Sequence, residues 1–287
     1  MKNEKKVIAC VDQSRYAEYV TDYAGWAAMR MQAPMELLHI IDLHPETATS
    51  VDHSGAIGID TQDQLLVEMS EQDASKNKIA REQGRIFLNR LRERALAYGV
   101  VAPDVRQRLG NLEDTLAEQE RDVRLFVLGR RGQSADLTQR DLGRNVERIV
   151  RSLNKPILTV SAEFTTPSRV MIAFNGSAPT RRCVEMVAAS PLFKGLPIHL
   201  LMSGEASPDA RKQLQWAKHI LETSGFEVAN TLVPGEAQAA ISQAIQNEGI
   251  DLLIMGAYSH SPFRSLFTGS RTAELLKSST IPTLLVR

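Results

Sequence analysis

The chain has neither an excess of charge nor a long apolar run. Lysine plus arginine and aspartate plus glutamate both number 34, so the formal net charge of the 287 residues is zero. General binders of nucleic acid or of membrane surfaces need a basic excess, and the sequence argues against both. No apolar run approaches the length of a membrane span, and the N-terminal residues enter a short apolar run without a signal-peptide core.

Cysteine is scarce, and the common catalytic motifs are missing. The two cysteines, Cys10 and Cys183, lie in apolar patterns and are predicted to be small core residues of a reduced, cytoplasmic protein. There is no GxxxxGK[ST] phosphate loop and no GxSxG elbow, and the six histidines show no metal-binding spacing. The sequence therefore offers no local support for a Walker-type nucleotidase, a serine hydrolase or a metal enzyme.

Four apolar segments do occur twice, in the same order. They pair residues 7–11 with 170–174, 37–41 with 200–202, 125–129 with 252–256, and 155–160 with 281–286. An ordered recurrence of this kind predicts a tandem duplication. We place the two domains at residues 1–162 and 168–287. The polar linker between them is short, so we expect the halves to pack together.

Helical spacing separates these apolar segments. The apolar face of the first predicted helix is formed by Ala17, Val20, Ala24, Ala27 and Met31. Similar stripes in residues 87–96 and 214–221 are each followed by a glycine, which is typical of a helix end. Alternating strands and helices predict an α/β fold of two doubly wound parallel-sheet domains, each with about five strands and helices on both faces.

The first half is longer than the second, and the excess lies mainly between His44 and Lys78. This segment is rich in Ser, Asp, Gln and Gly. Its composition predicts a loop that leads into a helix, and we assign no function to it.

The candidate ligand site lies at the carboxyl ends of the strands, where open parallel sheets bind ligands. Three features converge there in each half: the end of the first strand, the glycine ending the fourth, and the start of the last helix. In the second half the candidate residues are Asn175, Gly256, Ser259, Gly269, Ser270 and Arg271. In the first half they are Asp12, Gly129, Gly132, Gly143 and Arg144. Free backbone N–H groups and the helix dipole suit a phosphate, although glycines at strand ends also serve as simple turns.

These glycines and strands resemble the universal stress protein family. The family motif is G-x2-G-x9-G-[ST] after an opening strand that ends in Asp, and the likeness covers almost the whole chain twice. The resemblance implies an adenine nucleotide alpha hydrolase-like fold with a five-stranded sheet in each domain and a dimer-like pairing of the two domains. It also implies adenine-nucleotide binding in one branch of the family. Another branch lacks the glycines and binds no nucleotide.

Both halves depart from the nucleotide-binding pattern. The second half has Asn175 in place of the Asp and Ser259 in place of the middle glycine, but it keeps the spacing and the closing Gly-Ser pair. The first half keeps Asp12 and the glycines, but its loop is one residue longer and Arg144 replaces the phosphate-facing serine. Arg144 could pair with a phosphate or block the pocket. We therefore favour the second site.

The sequence favours a cytoplasmic stress or signalling protein that binds ATP or a related adenine nucleotide without strong catalysis. Mg²⁺ is allowed as a companion of ATP. One alternative is a degenerate interaction module that binds no nucleotide, and another is a slow ATPase. Hydrolysis needs a positioned water and a metal ligand, so Asn175 in place of the Asp argues against it. We expect an unidentified protein partner and an internal pseudo-dimer, and a homodimer is left open.

Overall fold

A computed structural model describes residues 5–41, 59–130, 144–257 and 279–287. Ten strands in these residues form one sheet. The strands are β1 (Lys6–Cys10), β2 (Met35–Ile41), β3 (Asp104–Leu109), β4 (Val123–Gly129), β5 (Ile157–Val160), β6 (Val170–Phe174), β7 (Ile198–Ser203), β8 (Val228–Val233), β9 (Leu252–Gly256) and β10 (Thr283–Val286). Their order across the sheet is β3-β2-β1-β4-β5-β10-β9-β6-β7-β8.

Seven α-helices lie in the same described ranges, together with short 3-10 helices at Glu120–Asp122 and Pro191–Phe193. The α-helices are α1 (Ala17–Met31), α2 (Ile59–Ala97), α3 (Leu112–Gln119), α4 (Arg144–Ser152), α5 (Ala178–Ala189), α6 (Pro208–Thr223) and α7 (Ala237–Glu248). Alternate strand residues contribute to two separate cores. One core lies against α1, α2, α5 and α6, and the other against α3, α4 and α7. The inner strands are therefore buried on both faces, which accounts for their continuous apolar sequences, whereas the outer strands β3 and β8 are only partly buried.

The two halves repeat the same strand pairings. Within each half, every pair of neighbouring strands is parallel. Val7 of β1 lies opposite Leu125 of β4, and the equivalent Val170 of β6 lies opposite Leu252 of β9. The fold class predicted from the sequence, two doubly wound parallel sheets of five strands each, is confirmed.

The halves join through their closing strands, β5 and β10, which pair antiparallel. Leu158 lies opposite Leu284, its own equivalent, and Thr159 lies opposite Thr283. Equivalent residues facing each other place a pseudo-twofold axis between the two leucines, perpendicular to the sheet. The first five strands therefore run in the opposite direction to the second five, and the carboxyl ends of the two sets lie on opposite sides of the sheet, above and below the strands. The two candidate sites must lie on these opposite sides as well.

Helix α1 and the linker strengthen the junction. Arg30 of α1 donates from Nε to the carbonyl oxygen of Leu192 at 2.6 Å and from Nη2 to that of Lys194, so it reaches across to the second half. The linker residue Phe164 packs edge-to-face on Tyr23, with ring centroids 4.8 Å apart. The expectation that the halves pack together agrees with these contacts.

The sequence predicts a loop leading into a helix between His44 and Lys78, and the part of this segment before Ile59 lies outside the described ranges. From Ile59 onward it is the first part of α2, a helix of 39 residues that spans about 58 Å. Residues 59–83 contain neither glycine nor proline, and many of them are good helix formers, so their polar character did not indicate a loop. In the described part of the chain, no helix is long and apolar enough to cross a membrane.

Candidate functional site

The structure describes only part of the predicted site. Asp12, Gly129, Asn175 and Gly256 are described, and so is the backbone of Arg144 as the first residue of α4. The remaining predicted residues lie outside the described ranges: Gly132, Gly143, Ser259, Gly269, Ser270 and Arg271. The described part of each site is therefore the set of strand ends from which the two loops depart.

Asn175 directly follows β6, and the next turn holds its side chain in place. Its Oδ1 accepts hydrogen bonds from the backbone N–H of Ser177 at 3.0 Å and from Oγ1 of Thr180 at 3.0 Å. The N–H donor of Ser177 identifies this side-chain atom as the oxygen. The Nδ2 group makes no hydrogen bond within the described residues, and Asn175 is exposed. Asn175 can therefore donate to a ligand, while its oxygen is already occupied.

Gly256 lies where the end of β9 meets the first turn of α5. A Cβ at this position would lie 2.9 Å from Cβ of Pro179 and 3.2 Å from the backbone nitrogen of Thr180. The first distance is shorter than real Cβ contacts and the second is tighter than most, so a side chain here would force its neighbours to shift. Thr180 contacts both Gly256 and Asn175, and it brings these two predicted site residues to one corner.

Two residues that the sequence prediction missed complete this corner. Thr180, which is buried, has Oγ1 3.0 Å from the carbonyl oxygen of Ser177 as well, so its single hydroxyl proton is shared between this oxygen and Oδ1 of Asn175. Arg181 donates from Nε to the carbonyl oxygen of Gly176 at 3.0 Å, and its guanidinium lies 5.0 Å from the ring centroid of Trp216. The available signal was the spacing of Ser177 and Thr180, which is that of a capping box with Thr in place of Glu. Arg181 therefore holds a positive charge close to Asn175.

The first half forms the same turn at its first strand. Oδ1 of Asp12 accepts a hydrogen bond from the backbone N–H of Ser14 at 3.1 Å, as Asn175 does from Ser177. Beside this turn, the imidazole of His39 is buried, and its Nδ1 lies 2.9 Å from the carbonyl oxygen of Val11. His39 is therefore a buried residue beside the Asp12 turn of the first half.

The residue after Gly129 does not belong to the candidate site of the first half. Arg130 is buried, and its Nη2 donates to the carbonyl oxygen of Ile281 at 2.9 Å and to Oγ1 of Thr283 at 3.3 Å. Its Nη1 donates to the carbonyl oxygen of Ser279. Its charge is therefore directed into the junction with the second half.

The described residues offer little for metal or thiol chemistry. Within them, no group of three or more His, Cys, Asp or Glu side chains could hold a metal ion. Both cysteines are buried and unpaired, and burial raises the pKa of the Cys183 thiol to about 12. Burial also raises the pKa of the Cys10 thiol, with a further contribution from the nearby Glu36 carboxylate. Thiols with raised pKa values are poor nucleophiles, so both cysteines are core residues, as the sequence predicted.

Comparison with known proteins identifies one family over most of the chain. The universal stress protein family model matches residues 4–161 and 200–287. The universal stress protein Slr1230 from Synechocystis is 33% identical over 286 residues, which are 99% of this chain and 100% of that protein.

Two solved structures support the fold at low sequence identity. A universal stress protein from Archaeoglobus fulgidus DSM 4304 has a TM-score of 0.72 at 17% identity, and the match covers 99% of this chain and 98% of that chain. A putative universal stress protein from Pseudomonas aeruginosa UCBPP-PA14 has a TM-score of 0.59 at 15% identity, with coverages of 99% and 93%.

Proposed function

Because the chain belongs to the universal stress protein family, we propose that it binds ATP or a related adenine nucleotide, chiefly in its second half. It acts in a cytoplasmic stress response or in signalling, as two tandem domains at residues 1–162 and 168–287. It regulates an unidentified protein partner and does not turn over substrate rapidly.

One observation carries this proposal: the free Nδ2 donor of Asn175 lies at the corner where β9 ends at Gly256. In the sequence, the loop that departs from Gly256 leads to the Gly269-Ser270 pair of the family motif. An amide donor and the fixed charge of Arg181 suit a ribose hydroxyl or a phosphate oxygen.

The same corner supports binding without strong catalysis. The Oδ1 of Asn175 already accepts two hydrogen bonds and carries no charge, so it is a poor ligand for Mg²⁺. Any Mg²⁺ would therefore enter with ATP, held mainly by phosphate oxygens and water. Without a protein carboxylate to position the metal, slow hydrolysis is the less favoured function.

A second candidate is an interaction module that binds no nucleotide. The close packing of Gly256 against Pro179 and Thr180 favours it, because this contact accounts for the glycine without a ligand. Under this hypothesis the glycine maintains the fold, and the loop around it has lost its affinity for nucleotide. Nucleotide released on denaturing the purified protein separates the two candidates, since an interaction module would release none.

The site itself is tested by Gly269→Val, which adds two methyl groups where the motif places the phosphates. We expect calorimetry to show that the variant no longer binds ATP. Thermal unfolding is measured alongside, so that a loss of binding is distinguished from a loss of stability. Ser270→Ala removes one hydroxyl donor and should weaken binding about tenfold or more.

The control for these variants is Arg144→Ala in the first half, which should leave the affinity unchanged. Normal ATP binding by folded Gly269→Val would place the phosphates elsewhere. A stoichiometry of two equivalent sites per chain would contradict the preference for the second half.

A further inference from the structure

A cleft of about 530 Å³ lies between α2 and the outer strand β3 of the first half. It is lined by Lys78, Arg81, Glu82 and Arg85 of α2 and by Gln107 of β3. Its volume is within the range of small-molecule sites, which is roughly 300–1,000 Å³. None of its lining residues is a candidate residue of either nucleotide site.

The cleft carries uncompensated positive charge. Glu82 is the one acidic group among its lining residues, and it is paired with Arg85 through hydrogen bonds of 2.9 and 2.7 Å. Lys78 and Arg81 form no ion pair with any residue whose side chain the structure describes. Two cations therefore line the cleft without a carboxylate partner among the described side chains. An anionic ligand would neutralise them.

Gln107 adds a buried donor to the cleft. Its Nε2 is inaccessible to solvent and has no hydrogen-bond partner in the described part of the chain, which is a costly arrangement for an amide. The amide packs against Gly84 of α2, where any Cβ would collide with Nε2. Glycine in the middle of a helix lowers its stability, so the helix accommodates this amide at a cost.

The second half shows that the fold does not require this arrangement. His39 pairs with Gln107 between β2 and β3, and Met202 pairs with Leu232 at the same register between β7 and β8. Counting back from the glycines that end α2 and α6, the equivalent of Gly84 is Ala210. The polar group is therefore specific to the first half, where it is combined with the basic residues of α2.

We propose that this cleft binds the phosphate group of a small molecule, with Arg81 and Lys78 neutralising the charge and the Gln107 amide turning away from Gly84 to donate to a phosphate oxygen. Lys78, Arg81 and the Nε2 group of Gln107 are donors, and a phosphate offers several acceptor oxygens. The site is separate from the proposed nucleotide site of the second half, whose strands have their carboxyl ends on the opposite side of the sheet.

The test is calorimetric titration of the full chain at low salt with inorganic phosphate and, separately, with ribose 5-phosphate. We expect one binding event that is weakened about tenfold or more by Arg81→Glu and by Gln107→Leu. The matched control is Arg92→Ala, which removes an exposed arginine of the same helix outside the cleft and should leave the affinity unchanged. Gly269→Val should also leave it unchanged, which separates this site from the nucleotide site.

The relative affinities of the two probes identify the source of the phosphate. Equal affinities indicate free phosphate, and tighter binding of ribose 5-phosphate indicates a phosphorylated metabolite. Gln107→Leu copies Leu232 and is checked by thermal unfolding, and the exposed Arg81→Glu decides the result if that variant does not fold. No binding of either probe at millimolar concentration, or binding that Arg81→Glu leaves unchanged, would overturn the proposal.

Discussion

At the scale of single residues, Asp12 and Asn175 occupy equivalent turns but offer a ligand different groups. Each uses one oxygen to accept a hydrogen bond from the backbone N–H two residues later, at 3.1 Å for Asp12 and 3.0 Å for Asn175. The other carboxylate oxygen of Asp12 is an acceptor, whereas the corresponding atom of Asn175 is an NH₂ donor. This difference of one side-chain atom changes the group offered to a ligand but leaves the turn the same.

Asn175→Asp tests this difference. The variant keeps an oxygen for Ser177 and Thr180 but replaces the donor with a charged acceptor. We expect calorimetry with Mg²⁺-free ATP to show an affinity lower by about tenfold or more, because a donor is lost and a negative charge is added near the phosphates. Its thermal stability should be close to that of the wild type. Unchanged affinity would mean that the nucleotide does not contact Asn175.

His199 provides a prediction about pH. It is buried on β7, with Nε2 3.1 Å from Oγ1 of Thr231. Burial lowers the pKa of His199, the Glu248 carboxylate acts against this shift, and the Arg169 guanidinium lowers the pKa further. As the pH falls, His199 is therefore protonated in the unfolded chain, at about pH 6.5, before it is protonated in the folded chain. The free energy of unfolding should be highest above that pH and should fall as the pH drops through the lowered pKa.

Urea unfolding at neutral and mildly acidic pH measures this effect. His199→Gln should show a shallower loss of stability on acidification than the wild type. His219→Gln, at an exposed position on α6, is the matched control and should follow the wild-type curve. An identical pH dependence for wild type and His199→Gln would contradict the prediction.

At the scale of elements, the ends of β4 and β9 have the same backbone geometry and different side chains. The residue after each closing glycine donates from its backbone nitrogen to the neighbouring strand, from Arg130 to Val160 at 2.6 Å and from Ala257 to Val286 at 2.8 Å. The Arg130 side chain donates hydrogen bonds to residues 279–283, just before and at the start of β10. The methyl group of Ala257 cannot form such bonds. The junction is therefore asymmetric despite the repeated strands.

Arg130→Ala copies the second half and removes these hydrogen bonds. We expect the free energy of unfolding to fall by about 2–4 kcal/mol, because the buried acceptors at Ile281 and Thr283 lose a charged donor. Chemical denaturation measures the change. Arg121→Ala, which truncates an exposed arginine before β4, should change stability by less than about 0.5 kcal/mol. Equal effects of the two substitutions would show that the junction does not depend on Arg130.

At the scale of the whole molecule, the closing strands make one sheet out of two. Pairing of β5 with β10 covers the edge that each half would otherwise expose, and the ten-stranded sheet ends at β3 and β8. Exposed edges of apolar strands favour association with another chain. Because Leu158 pairs with its own equivalent, Leu284, two copies of one half could pair in the same way.

Separate expression of residues 1–162 and 168–287 tests the dependence of the halves on each other. We expect each fragment to self-associate or to be unstable, because each exposes a closing strand that the full chain covers. Light scattering on the purified fragments measures their mass, and an equimolar mixture should form a one-to-one complex. Two stable, monomeric fragments that do not bind each other would contradict the prediction.

The sequence by itself determined the repeated strands, the parallel sheets and the family. Apolar periodicity and the glycines that end strands are local signals, and the segments 125–129 and 252–256 carry them independently of their surroundings. The polar composition of residues 44–78, in contrast, predicts a loop that leads into a helix but not where that helix begins, and the good helix formers from Ile59 onward decide its start.

Only the tertiary structure decided which side chains meet. Arg130 and Ile281 are far apart in sequence, and nothing near Gly129 indicates that the next side chain leaves the candidate site for the junction. Gly256 is a candidate site residue in the sequence, and nothing near it along the chain indicates that a Cβ there would meet Pro179 and Thr180. A side chain's partners depend on the packing of distant elements, and sequence patterns report only the spacing along one element.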